Sequence, residues 1–194
     1  MWLWRKLQRL IYCINTGFIV NYFQLFGLED HFDLDTTKLA EVYQSLQKTV
    51  HPDRFASASS QDQLLAVQKS SMINDAYQTL KNPLTRATYI LTQRGTEMPS
   101  EQASFGDTAF LMHQMELREM LSEIKGSDNI EAAIFSATET LDTEYEQLFK
   151  MMQAQLNENS PESNTLACDN LRKLKFYQKL HIELDRLEDS LLDD

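Results

Sequence analysis

Residues that break helices and make turns are scarce in this chain: five glycines and four prolines in 194 residues. Average usage of the two together is about 12%. An all-β fold needs turn residues about every 8–12 positions, so that class is excluded and an all-helical chain is expected. The same scarcity removes Gly-rich phosphate cradles, because neither G-x-x-x-x-G-K-[S/T] nor G-x-G-x-x-G occurs. With 42% apolar and 24% charged residues the chain is globular rather than disordered. Its formal charge of −11 argues against nucleic acid as the main partner. Cys13 and Cys168 lie far apart, without C-x-x-C or a neighbouring histidine ladder. They read as free thiols in a reducing compartment, with neither a zinc site nor a disulfide framework implied.

The charge is segregated along the chain. Residues 1–20 hold Arg5, Lys6 and Arg9 and no acid, residues 21–95 hold seven bases and eight acids, and residues 96–194 hold eight bases and 21 acids. A basic leader, a nearly neutral module and a strongly acidic module follow one another. The leader's apolar stretch, Leu10–Val20, is interrupted at Asn15, Thr16 and Gly17, and is shorter than the about 20 residues that span a bilayer. It resembles a signal peptide without a small-x-small cleavage site. A weak amphipathic anchor and upstream sequence from an early start are the other readings, and the last is preferred.

Apolar periodicity and caps divide the rest. Asn21–Leu28 is a short aromatic segment stopped at Gly27. Asp35 caps a helix striped by Leu39, Val42, Tyr43, Leu46 and Val50, and Pro52 ends it. Ser60 with Gln63 reads as the capping box of a second long helix, along which Leu64, Val67, Ser71, Asn74 or Asp75, and Leu80 recur until Asn82-Pro83. Pro83 opens a shorter helix ending at Gly95. The polar stretch 96–106, with Pro99 and Gly106, reads as a linker. Asp107 then caps a helix running to Gly126 as its C′ residue. A second helix runs from Asp128 to about Asn157, and a third runs from the break at Asn157–Pro161 to Leu192. Three long antiparallel helices with short connections make a bundle.

His51-Pro52-Asp53, followed by Arg54-Phe55, sits between the two long helices of the first module. Pro52 stiffens the turn, Asp53 can bond nearby backbone donors, and His51 and Arg54 are presented on an exposed loop. An ordinary helix-terminal histidine is the bland reading of His51. The arrangement resembles the J domain of DnaJ-type co-chaperones. That resemblance implies that His51, Pro52, Asp53 and Arg54, with Lys48 on the preceding helix and Lys38 as a weaker candidate, contact a DnaK-class chaperone and accelerate its ATPase.

The likeness narrows with NYFQLFGL, YQSLQKTVHPDRF, INDAYQTLKNPLTRATYIL, DTAFLMHQMELREML and LRKLKFYQKL. Together these resemble the HscB family, J-type co-chaperones of iron–sulfur cluster assembly, over about residues 20–192. The implied fold is all-α and L-shaped, with a J domain over 20–95, a linker over 96–106 and a C-terminal three-helix scaffold-binding domain over 107–194. The implied partners are an HscA-type DnaK-class chaperone and an IscU-type iron–sulfur scaffold protein. Neither cofactor nor metal is implied, and a cytoplasmic monomer that binds neither nucleic acid nor membrane is expected. Family members begin at the equivalent of about residue 20, and a GTG codon reads internally as Val. Initiation at Val20 is therefore expected, with residues 1–19 not made in the cell.

Helix geometry supplies a second line of argument. At about 100° per residue from Phe110, Leu117, Leu121 and Ile124 fall within about 40°, a core stripe. Leu111, Met112 and Met115 fall on the far side, bordered by Glu116, Glu119 and Glu123. A bundle helix needs one apolar face, so a second, acid-edged one calls for a basic partner. Packing of Leu111 and Met112 on the first module or linker is the alternative. The family's scaffold-contact positions match Leu111, Met112, Met115, Glu116, Glu119 and, on the last helix, Phe176. Position 115 is more often Leu in the family, for which Met is a pliable substitute. Phe176 sits at the edge of its own core stripe, so a purely structural role stays open for it.

An enzyme is not expected. His31, His51, His113 and His181 form neither H-x-x-x-H nor H-E-x-x-H, and Asp185, Glu188 and Asp189 read as a solvated helix face. A J-domain protein serving a different client is the nearer rival. A metal-dependent phosphohydrolase built on His51 and Asp53 is the remoter one.

Overall fold

The computed structural model describes residues 21–100 and 105–192, and among these every regular element is helical. The leader expected over 1–19 and residues 101–104 of the expected linker lie outside the described residues. The chain divides into two compact units between Ile90 and Leu91, inside a helix and upstream of the linker expected from composition.

In the first unit, α1 (Tyr22–Phe26) is capped by Asn21, whose side-chain oxygen accepts from the Phe23 and Gln24 amides. Gly27 closes it in the left-handed region at φ 66°, a conformation that carries no steric cost without a Cβ. The short aromatic segment supplies part of the unit's core: Phe23 and Phe26, with Phe32 beyond it, are at most 2% exposed. Tyr22 stacks on Tyr89 at 4.6 Å, and its amide donates to the Tyr89 hydroxyl. Asp35 caps α2 (Thr36–Val50) through the Thr37 and Lys38 amides. α2 buries Leu39, Leu46 and Val50 and stops one residue before Pro52 at His51, as the proline requires.

A 3-10 turn, Pro52–Phe55, leads to α3 (Ser60–Lys81). Tyr43 stacks on Tyr77 at 4.0 Å and Gln47 bonds both backbone and hydroxyl of Ser70, so α2 and α3 run antiparallel. Two expectations for α3 need correction. The cap is Ser59, not Ser60: its hydroxyl accepts from the Asp62 amide and donates to the Asp62 carboxylate, while Gln63 reaches back to the Ala56 and Ala58 carbonyls. Leu64 and Val67 are 60% and 51% exposed, and the buried face is Ala66, Ile73, Ala76 and Leu80. Its alanines carry too little apolar bulk to mark the phase of the stripe.

Asn82 caps α4 (Pro83–Gln93) through the Leu84 and Thr85 amides, with Pro83 at the first position. Arg86 is buried. Its guanidinium donates to the Leu80 carbonyl at 2.6 Å and lies 4.9 Å over the Phe32 ring, and burial lowers its pKa.

The second unit is a three-helix bundle. Asp107 caps α5 (Thr108–Glu123) through the Phe110 amide. The helix tightens into a 3-10 turn, Ile124–Gly126. Gly126 is not the left-handed C′ residue expected, since positive φ among the described glycines belongs to Gly27 and Gly95; the helix end is drawn in by the 3-10 turn instead. α6 (Ile130–Glu158) is capped by Asn129 and stops at left-handed Asn159, and α7 (Pro161–Leu192) follows. Leu141, Met152, Leu156, Leu171, Leu174 and Leu180 line a seam between α6 and α7 and are at most 1% exposed. Arg94 donates to the Leu156 carbonyl and to Asn164, and Met98 meets the buried Cys168 thiol.

α5 lies on this pair through Phe110, Leu117, Leu121 and Ile124, the stripe expected from helix geometry. Two polar clasps hold it. Lys173 Nζ meets Asp107 Oδ2 at 2.8 Å, which lowers the Asp107 pKa. His113 Nε2 meets Glu144 Oε2 at 2.8 Å, and the Tyr177 hydroxyl donates to the same oxygen. One carboxylate on α6 thus joins all three helices.

Burying a phenylalanine and then deleting it leaves a cavity costing about 3–5 kcal/mol. Phe26→Ala is expected to destabilise the first unit by about that amount, read from urea unfolding followed by circular dichroism. The Glu144 hydrogen bond is the main cause that raises the His113 pKa above its ordinary 6.5. A group that binds its proton more tightly in the native state contributes stability fully present below the unfolded pKa and lost as pH rises through the native one. Thermal stability of the wild type is therefore expected to fall, relative to His113→Gln, as pH rises above about 6.5, measured by thermal unfolding on the acidic and basic sides of neutrality.

Candidate partner-binding sites

The first candidate site is built by the end of α2. His51 is both the C-cap of α2 and the residue that opens the 3-10 turn, with φ −54° and ψ 128°. Its Nδ1 accepts from the Asp53 amide at 3.3 Å and lies 3.5 Å from Asp53 Oδ2. In the neutral ring this places the proton on Nε2, the nitrogen left for a partner. The side chains are 55% exposed at His51 and 89% at Asp53. Arg54 is exposed, as expected, and it also supports the fold locally, since its Nη1 donates to the Lys48 carbonyl at 3.1 Å. That bond satisfies one of the free carbonyls at the C-terminus of α2 and sets a cation against its negative end. Lys48 and Lys38 are exposed along α2.

The second candidate site is the outer face of α5. Met112 is 62% and Met115 72% exposed, Leu111 is half-buried, and Glu116 and Glu119 are exposed beside them. Unpartnered methionines of this exposure form a pliable apolar surface, here with an acidic border. Phe176 is placed differently. It is half-buried on the rim of the core, with ring contacts to Phe110 at 5.8 Å and Tyr177 at 5.8 Å and the Arg118 guanidinium 5.7 Å over its face. Any surface it offers is shared with Arg118.

One group near this face escaped the reading of the sequence. His113 lies beyond Glu116 at the edge of this face, with Nδ1 3.1 Å from Glu116 Oε2 and Nε2 on Glu144. Tyr177 has its phenol pKa pushed well above the usual range, by burial first and by the Glu144 carboxylate second. The i, i+3 spacing of His113 and Glu116 on one helix was the only visible signal. Among the described residues no group of three or more His, Cys, Asp or Glu could hold a metal ion, and no helix is long and apolar enough to cross a membrane.

Comparison with known proteins gives concordant results. Residues 106–185 match the family described as the HSCB C-terminal oligomerisation domain. A protein of Colwellia psychrerythraea named co-chaperone protein HscB homolog is 63% identical, over 90% of this chain and 100% of its own length. A Shewanella protein of the same name is 47% identical, over 90% of this chain and 100% of its own. Among solved structures, chaperone HscB from Vibrio cholerae superposes with a TM-score of 0.84 at 45% identity, covering 88% of this chain and 99% of that one. Human co-chaperone protein HscB gives 0.79 at 28% identity, covering 87% and 82%. A likeness that spans the whole of the bacterial relatives and includes both units leaves one assignment: the chain belongs to the HscB family of co-chaperones.

Proposed function

We propose that the chain delivers an IscU-type iron–sulfur scaffold protein to an HscA-type DnaK-class chaperone and stimulates that chaperone's ATPase. The observation that carries the reading is the His51-Pro52-Asp53 turn between two amphipathic helices, with His51 and Asp53 exposed, in a member of the HscB family. His51, Pro52 and Asp53 dock on the ATPase, with Lys48 and Arg54 supplying positive charge, and docking biases the ATPase towards hydrolysis. The acidic second unit holds the scaffold through Leu111, Met112 and Met115, with Glu116 and Glu119 on the border and Phe176 at the rim. Holding client and ATPase on one chain raises their effective concentration for each other.

The two functions are separable by substitution. His51→Gln is expected to abolish stimulation of ATP hydrolysis while leaving scaffold binding unchanged; full stimulation by this variant would sink the reading. Leu111→Ala with Met115→Ala should do the reverse, weakening scaffold binding by about 2 kcal/mol or more, roughly thirtyfold in Kd. Stimulation without any scaffold binding by the wild type would assign the chain to a different client. Scaffold affinity is also expected to fall as salt rises, because the border charges of the face are exposed and screened; calorimetric titrations over a salt series measure this.

A further inference from the structure

The contacts of His113 set up a competition at the partner face. Its two ring nitrogens face two carboxylates: Glu144 Oε2 at 2.8 Å from α6 and Glu116 Oε2 at 3.1 Å from its own helix. From α7, the titratable group that reaches this cluster among the described residues is the Tyr177 phenol, which donates to the same Glu144 oxygen. A carboxylate only accepts, and a neutral imidazole carries one proton. Both contacts are therefore hydrogen bonds only when the ring is the imidazolium.

The two carboxylates are not equivalent. Glu144 is 30% exposed and shares its bond with Tyr177, whereas Glu116 is 68% exposed and its bond to the ring is the longer. Deprotonation of the ring therefore keeps Glu144 and releases Glu116. Glu116 belongs to the acidic border that calls for a basic partner, so a partner cation and the imidazolium compete for one carboxylate.

We propose that His113 is a positioning residue that holds Glu116 back while protonated and releases it when neutral, so that binding of a basic partner expels a proton from the ring. The inference rests on reading the α5 face as the scaffold-binding surface, and it adds to that reading a proton as a competing ligand. The Glu144 hydrogen bond first, and the Glu116 one after it, raise the pKa of the ring in the free protein. A partner cation at Glu116 lowers it again. Affinity then rises with pH, by a few-fold to about tenfold in Kd.

The test is calorimetric titration of the full chain with an IscU-type scaffold protein at about pH 6 and about pH 8, in buffers of different ionisation enthalpy. The wild type is expected to bind more tightly at the higher pH and to release part of a proton at the lower one. His113→Gln is expected to bind at both with the affinity the wild type reaches at the higher pH, and without that proton release. Imidazole resonances of the free protein supply the second measurement, with the His113 pKa expected to fall in Glu116→Gln. Binding that ignores pH, or an equal pH dependence in His113→Gln, overturns the role of His113 and leaves the scaffold reading standing. Absence of binding at both values overturns both.

Discussion

The helix that leads into His51 ends there, because the ring of Pro52 crowds the residue before it and disfavours the helical region for it. Much of the first unit follows from that one steric fact. α2 stops at Val50, the backbone turns extended at His51, and the chain re-enters a helix only after the 3-10 turn. The antiparallel α2–α3 pair can then close through Tyr43 on Tyr77 and Gln47 on Ser70. The turn is held by its own parts, with Asp53 bonded to His51 and Arg54 bonded back to Lys48. The surface offered by the loop is therefore fixed locally.

The second unit solves a different problem. α6 and α7 share a long aliphatic seam, and α5 must lie on them while keeping its other side apolar and outward. Its core stripe of Phe110, Leu117, Leu121 and Ile124 occupies one face, and the clasps at Asp107 and His113 fix the rotation that leaves Met112 and Met115 outside. Polar contacts here specify an orientation that apolar burial alone would leave open on a helix with two greasy faces.

How much of this was legible in the sequence depended on how local each cause was. Pro52, Asp35, Asp107 and Pro83 act within a turn of themselves, and their effects could be read directly. The Phe110 stripe was legible because its members are large and regularly spaced. Ser59 and Ser60 are adjacent, each with a capping partner three residues on, so local chemistry did not choose between them. The buried face of α3 was misread because two of its positions are alanine, while the bulkier Leu64 and Val67 point to solvent. The triad of His113, Glu144 and Tyr177 was out of reach, since Glu144 stands 31 residues from His113 and 33 from Tyr177, on three different helices, and only packing brings them together.

The exposure of the two α5 methionines carries a chemical cost of its own. A thioether open to solvent can be oxidised to the sulfoxide, which turns a flexible apolar side chain into a polar, chiral one. Met152, fully buried between α6 and α7, is shielded from that chemistry. Oxidants therefore reach the outward face of α5 while the seam that holds the bundle together stays intact. Damage of this kind would show as a folded protein whose surface no longer sheds water at Met112 and Met115, repairable by sulfoxide reduction without refolding.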